Sequence, residues 1–426
     1  MTLKNKKYFF VGIGGAGMSA LARLLYSRGV EVSGSDVSLG EEVKRLRGEG
    51  IIVKIGQDIS LIPHNTEVVV YSNALKKYEP EFIKKLAECL WQVWSYPELL
   101  GEVSKGMKTI AISGTHGKTT TTSMVATVLL DLGLDPTVIV GGTLVRERTN
   151  FIAGKSGYLV VEADEYERAF HNYYPYILII TNIDLDHLDY YKDLADIQAS
   201  FREVASRVPK DGKVICNSSD PHIVPVVAGL EVTDYTKVSQ DGLALKFPGA
   251  HMRTNAQAVL TLGEFLGLPR NKVIESLNNW SGTERRFEYK GETEAGAMVF
   301  DDYAHNPEKV RAAIAGTREM FPHKKIVAVF QPHLYSRTKK LFTELASSFG
   351  EANEVLVLPI FPSREKLDPT ITSEMLTEAI SKTGKNVRCV EDFESASEYV
   401  KQLGEEVIIL TIGAGDINKL SQALVG

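Results

Sequence analysis

The chain has 426 residues, a formal net charge of −6, 44% hydrophobic and 24% charged residues. That length exceeds a single compact core and predicts two or three domains, while the acidic balance and lack of a basic run exclude an obvious nucleic-acid or membrane-surface partner. No signal peptide or bilayer-length apolar stretch is evident, and Cys89, Cys216 and Cys389 lack metal-ligand spacing, so the expectation is a cytoplasmic protein with reduced thiols.

The first strand, Tyr8 to Val11, runs into Gly12-Ile13-Gly14-Gly15-Ala16-Gly17, and a helix follows from Met18 to Ser27. Asp36 closes the second strand about twenty residues on, where an acidic side chain can meet a ribose. Gly12, Gly14, Gly15 and Gly17 allow close backbone approach to a diphosphate, which both NAD and a UDP-sugar carry. The residues themselves leave that choice open. The polar stretch Gly101 to Gly106 reads as a linker ending the first block near Lys105.

The second block opens on the apolar strand Thr109 to Ile112, followed by Ser113-Gly114-Thr115-His116-Gly117-Lys118-Thr119-Thr120 and the helical stretch Thr121 to Leu130. A strand, a glycine turn with a lysine and a helix form a phosphate cradle. Gly114, Thr115, His116, Gly117, Lys118, Thr119 and Thr120 are therefore candidate triphosphate contacts. The loop is a variant P-loop, because Ile112 stands where the usual pattern has its first glycine. Glu162-Ala163-Asp164-Glu165 ends the strand Tyr158 to Val161, and Thr181-Asn182-Ile183-Asp184-Leu185-Asp186-His187-Leu188-Asp189 ends the strand Ile177 to Thr181. Acidic clusters on successive strand ends suit Mg²⁺ beside phosphate oxygens, although His187 is a softer ligand than such an ion ordinarily takes. A strand at Lys213 to Cys216 and a helix at Asn255 to Leu266 complete the block.

The third block begins near Gly282, with strands at Met298 to Phe300, Ile326 to Phe330, Val355 to Leu358 and Val407 to Leu410. It carries Arg285-Arg286-Phe287-Glu288, Asp301-Asp302-Tyr303-Ala304-His305-Asn306-Pro307 and Gln331-Pro332-His333-Leu334-Tyr335-Ser336-Arg337-Thr338. The last two also read as N-capped helix starts, for which Asn306-Pro307 is well suited. Strand runs alternating with helical stretches throughout predict an α/β protein with largely parallel sheets.

With these motifs in hand, the chain resembles the Mur ligases from Gly12 to Gly415. The resemblance implies three domains: a UDP-sugar-binding Rossmann-like domain over 1–105, a central P-loop ATPase domain with a mostly parallel sheet over 106–282, and a C-terminal Rossmann-like amino-acid-binding domain over 283–426. It implies UDP, in place of NAD, on the first glycine loop, Lys118 on the ATP phosphates, and Thr119 and Glu162 on Mg²⁺, with His187 joining a second metal. Asn255, Arg286, His305 and Asn306 match the family's positions around ATP. Tyr303, His333 and Arg337 match those lining the site of the amino acid and the reacting carboxylate, and Lys118, His187, His333 and Arg337 would act at the reacting centre.

The Gln331 to Thr338 segment and Pro362-Ser363-Arg364-Glu365-Lys366 resemble the branch that joins L-alanine to the carboxylate of UDP-N-acetylmuramate through an acyl phosphate, in peptidoglycan precursor synthesis. Residues 193–209 contain no lysine to match the carbamylated lysine of later-acting ligases, which agrees with that branch. Glu165 to Arg168 and Asp193 to Val208 instead resemble the branch that recycles a whole tripeptide, and Leu334 replaces a basic residue common in the alanine-adding motif. The acceptor is therefore expected to be L-alanine, with a tripeptide as the alternative and glycine or serine open. Monomer and homodimer both fit. With the phosphate loop and the acceptor motifs in different domains, domain closure is expected before chemistry.

Overall fold

The computed structural model describes residues 3, 6–187, 190–363 and 365–425. Leu188, Asp189 and Arg364, which belong to the motifs above, lie outside the described residues. The chain is a three-domain α/β protein with mostly parallel sheets. It forms two compact units, Met1–Ala244 with Arg253–Ser281, and Leu245–Met252 with Gly282–Gly426.

The first unit holds two sheets. The N-terminal one comprises β1 (Lys7–Val11), β2 (Glu31–Asp36), β3 (Ile52–Ile55), β4 (Val68–Tyr71) and β5 (Gln92–Ser95), in the order β3-β2-β1-β4-β5, all parallel. Phe9, Phe10 and Val11 of β1 and all of β4 are buried, as expected of strands covered on both faces. The chain steps from β1 to β2 on one side and later to β4 on the other. That reversal opens a crevice at the carboxyl end of β1, where the first glycine loop lies.

The second sheet comprises β6 (Lys108–Ser113), β7 (Thr137–Leu144), β8 (Thr149–Ile152), β9 (Tyr158–Glu162), β10 (Ile177–Ile180), β11 (Lys213–Cys216) and β12 (Val232–Asp234). Their order is β12-β11-β10-β6-β9-β7-β8, and the β7–β8 edge pair is antiparallel. Because β6 sits between β10 and β9, the loop that follows it is flanked by the carboxyl ends of both. This places Glu162 on one side of the phosphate loop and Thr181 on the other.

The expected linker at Gly101 to Gly106 is not one. The helix Tyr96–Lys105 covers most of it, and Glu98 caps that helix by accepting from the Ser95 N–H at 2.6 Å. Gly101 is buried, and a Cβ there would stand 2.3 Å from the Asn172 carbonyl oxygen. The glycine serves a close helix-to-backbone approach, a use that sequence alone does not distinguish from flexibility.

The second unit holds a six-stranded sheet of β13 (Glu288–Glu292), β14 (Met298–Asp302), β15 (Lys325–Phe330), β16 (Glu354–Val357), β17 (Asn386–Cys389) and β18 (Val407–Ile412). The order is β13-β14-β18-β15-β16-β17, with only the β13–β14 pair antiparallel among these neighbours. Phe300 and Phe330 pack on one face and Val299 and Val329 on the other, the period-two alternation of a sheet with two covered faces. Among the described residues no helix is long and apolar enough to cross a membrane.

Candidate active site

The phosphate loop bends through two glycines in left-handed or mirror-β backbone, Gly114 at φ +135° and Gly117 at φ +81°. Gly117 is the N-cap of the helix Lys118–Asp131 and offers no side-chain cap, and the first turn carries no acidic residue. The first-turn N–H groups and the positive end of the helix dipole therefore carry no side-chain cap, an arrangement chemically suited to an anion. The loop is held in shape from β10: the His116 N–H donates to Asn182 Oδ1 at 2.9 Å, and Thr181 Oγ1 donates to the His116 carbonyl at 2.6 Å. A Cβ on Gly117 would meet the Asn255 carboxamide at 2.9 Å, so Asn255 sits directly against the loop.

Lys118 folds back over this loop. Its ammonium donates to the Gly114 carbonyl at 2.7 Å and to Glu165 Oε2 and Oε1 at 2.7 and 2.9 Å. Burial opposes the charge, but the carboxylates of Glu165, Asp164 and Glu162 outweigh it, and the Lys118 pKa is raised. Thr119 Oγ1 donates to Glu162 Oε2 at 3.2 Å, and Glu162 Oε1 accepts from the Gly141 N–H at 2.7 Å.

The two acidic clusters thus divide. Glu162 joins Thr119, whereas His187 lies with Asp164 and Glu165, its Nε2 3.8 Å from Glu165 Oε1. Ligand atoms of Asp164, Glu165 and His187 all fall within 4.8 Å of one another. His187 has a left-handed backbone at φ +55° and packs its ring 4.7 Å from that of Tyr166. Glu165 was visible in the sequence as part of an acidic cluster, but nothing there paired it with Lys118.

At the first glycine loop, Gly12 has φ +75° and its N–H donates to the Ser35 carbonyl at 2.8 Å, with Gly15 returning to the Gly12 carbonyl at 3.2 Å. Asp36 closes the loop, accepting from the Gly14 N–H at 2.8 Å and the Ser38 N–H at 3.2 Å. A Cβ on Gly17 would stand 2.8 Å from the Tyr96 ring. Burial, then the Glu162 and Asp164 carboxylates, push the Tyr96 phenol upward, and the ring packs against the glycine loop at Gly17. Tyr96 was missed in the sequence, since it follows β5 with no motif around it.

In the second unit the Asp301-to-Pro307 segment leaves β14 and the Gln331-to-Thr338 segment leaves β15, with β18 between them. Asn306 caps the helix Pro307–Met320, its Oδ1 accepting from the Lys309 N–H at 2.9 Å. Arg286 and Arg285 stack on the Tyr303 ring at 5.3 and 5.0 Å. Arg285 also bonds buried Asp301 at 3.1 Å and the Gly415 carbonyl at 3.0 Å, a framework role that its motif alone did not reveal.

His305 Nδ1–H donates to the Tyr303 carbonyl at 2.9 Å, leaving Nε2 as the acceptor of a neutral ring. His333 Nδ1 accepts from Arg337 at 3.1 Å, which leaves Nε2–H as a donor, and its ring stacks on Phe361 at 5.6 Å. The two imidazole rings are 6.4 Å apart. Burial, then Lys309 and Arg337, lower the His305 pKa to about 3; burial, then Arg337, lower that of His333 to about 4. Both rings are neutral at pH 7. Leu334, the residue that departs from the basic pattern, has φ +71° and N-caps the short helix Tyr335–Lys340.

Three family models match along the chain: "Mur ligase family, catalytic domain" over residues 7–108, "Mur ligase middle domain" over 112–261, and "Mur ligase, glutamate ligase domain" over 285–415. The chain is 39% identical to the UDP-N-acetylmuramate–L-alanine ligase of Clostridium kluyveri, covering 99% of this chain and 98% of the relative. It is 36% identical to the enzyme of that name from Chlorobium phaeobacteroides, covering 99% and 97%. The solved structure of the UDP-N-acetylmuramate–alanine ligase of Thermotoga maritima superposes with a TM-score of 0.82 at 29% identity over 98% of each chain. A murein peptide ligase from Psychrobacter arcticus shares the fold, with a TM-score of 0.69 at 22% identity over 99% of this chain and 98% of the other.

Proposed function

The chain belongs to the Mur ligase family, and on that premise we propose that it joins L-alanine to the carboxylate of UDP-N-acetylmuramate, converting ATP to ADP and phosphate. The observation that carries the nucleotide half is the uncapped helix start at Gly117, with the Lys118 ammonium beside it and the Thr119–Glu162 pair at 3.2 Å. The acceptor assignment is supported by relatives of that name matching along nearly the whole chain.

In this reading residues 1–105 take the UDP-sugar, 106–282 the ATP and 283–426 the amino acid. Gly12, Gly14, Gly15 and Gly17 would face the UDP diphosphate, with Asp36 fixing the loop through its bond to the Gly14 N–H. Gly114 to Thr120 would cradle the ATP phosphates, with Asn255 against Gly117, while Arg286, His305 and Asn306 of the second unit match the family's positions around ATP. A carboxylate oxygen of the muramate attacks the γ-phosphorus and ADP leaves. The alanine ammonium gives one proton to solvent, the free amine attacks the acyl carbon, and phosphate departs with the former carboxylate oxygen, taking up the second N–H proton as the amide forms.

Lys118 neutralises charge on the transferring phosphoryl group, an electrostatic contribution that grows in a site shielded from water. Thr119 and Glu162 fit a hard cation, since a hydroxyl and a carboxylate already converge beside the anion site, and His187 would serve a second ion. Mg²⁺ there would screen the phosphate oxygens and polarise the phosphorus. Tyr303 would line the acceptor site. Arg337 supplies a cation, and His333, kept neutral with Nε2–H outward of the Arg337 bond, supplies a donor to an anionic reactant.

Phosphate release should require ATP, Mg²⁺, UDP-N-acetylmuramate and L-alanine together, and Lys118→Ala should lower it by at least about 10²–10³-fold. Turnover with an L-alanyl tripeptide but not with L-alanine would overturn the acceptor assignment. Full activity in Lys118→Ala would overturn the nucleotide site.

A further inference from the structure

An ammonium has three N–H donors, and around Lys118 three acceptors are already in place: the Gly114 carbonyl at 2.7 Å and the two Glu165 oxygens at 2.7 and 2.9 Å. A phosphate oxygen approaching Lys118 therefore competes with these acceptors, foremost with the negatively charged Glu165 carboxylate. Of the other two carboxylates of the cluster, Asp164 stands back at 3.9 Å from the ammonium, and Glu162 is committed to Thr119 at 3.2 Å and the Gly141 N–H at 2.7 Å.

Glu165 is held rigidly for this contact. Its side chain is 3% exposed, and its carbonyl accepts from the Tyr191 hydroxyl at 2.6 Å and the Arg168 N–H at 2.9 Å. The turn that follows carries two consecutive non-glycine residues in left-handed backbone, Glu167 at φ +51° and Arg168 at φ +55°. Such strain persists where the surroundings over-determine it, and here Arg168 is tied to Asp196 at 2.6 Å.

We propose that Glu165 is a positioning residue for Lys118, an internal anion that holds the ammonium back across Gly114 until nucleotide phosphate replaces it. The proposal rests on the reading of Lys118 as a phosphate contact. Its consequence is a handicap on nucleotide affinity: apparent binding is reduced by the fraction of molecules in which Lys118 is released. Removing the charge at position 165 removes the competitor.

The test is ADP binding by titration calorimetry, which needs no ligase turnover, on the wild-type chain, Glu165→Gln, Lys118→Ala and the double variant. Glu165→Gln should bind ADP roughly three- to tenfold more tightly than wild type. The tightening should be at least about threefold larger with Lys118 present than in the Lys118→Ala background, because only the lysine is latched. Equal tightening in both backgrounds would reduce the effect to repulsion between Glu165 and phosphate and overturn the latch; so would unchanged or weaker binding, the result of a merely structural role. Should Glu165→Gln fail to fold, Glu165→Asp keeps the charge but withdraws it by one methylene, and it too must bind ADP more tightly than wild type. A wild-type chain that binds no ADP overturns the nucleotide site and the latch together, whereas wild-type binding without tightening overturns the latch alone.

Discussion

The Asn255 carboxamide closes against Gly117, its oxygen 2.9 Å from where a Cβ on that glycine would stand. Gly117 also holds φ +81° at the cap of the helix that opens the phosphate loop. Gly117→Ala therefore meets two obstacles, a left-handed backbone costing roughly 1–2 kcal/mol and displacement of Asn255. Thermal unfolding should register that loss, and calorimetry should show ADP affinity reduced by more than the stability change accounts for, since the loop itself moves.

Glu162 bridges the Thr119 hydroxyl and the Gly141 N–H. Glu162→Gln preserves its size and removes the charge on the proposed cation site. The Mg²⁺ concentration giving half-maximal phosphate release should rise about 10–100-fold, with little change in the melting temperature. An unaltered Mg²⁺ dependence would exclude Glu162 as a ligand.

Asp301 is fully buried and binds Arg285 at 3.1 Å and the Thr411 hydroxyl at 2.6 Å. Asp301→Ala leaves the Arg285 guanidinium without its carboxylate, and breaking a buried pair from one side costs about 3–5 kcal/mol. Denaturant unfolding should show the second unit destabilised, and hydrogen exchange should localise the loss to β14 and β18.

His305 and His333 are held neutral, with pKa values lowered to about 3 and about 4 from an ordinary value of 6.5. The unfolded chain takes up these protons first, so the stability they contribute is fully present above about pH 6.5 and is lost as pH falls toward 4 and then 3. The melting temperature of wild type should fall between pH 7 and pH 4.5. His305→Gln should flatten that dependence, while at pH 7 its stability should change far less.

The strand–glycine turn–helix shape of the Gly114 to Thr120 loop was legible in the sequence because its signals are local. Gly114, Gly117, Lys118 and Thr119 lie within six residues of chain, between a strand and a helix whose periodicities are visible. The Asn306-Pro307 helix start was legible for the same reason. The reading of Gly101 to Gly106 as a linker failed because a glycine packed against Asn172 has the same letter as a glycine in a flexible connection.

Sequence by itself determined the alternation of strands and helices, the family resemblance and the residues that could meet phosphate, since propensity, periodicity and loop chemistry act over a few neighbouring positions. Tertiary structure decided which of those residues meet. The order β10-β6-β9 brings Glu162 to Thr119 and Glu165 to Lys118, across 43 and 47 residues of chain. Strand order is set by pairing between segments far apart in the chain, and no local pattern encodes it.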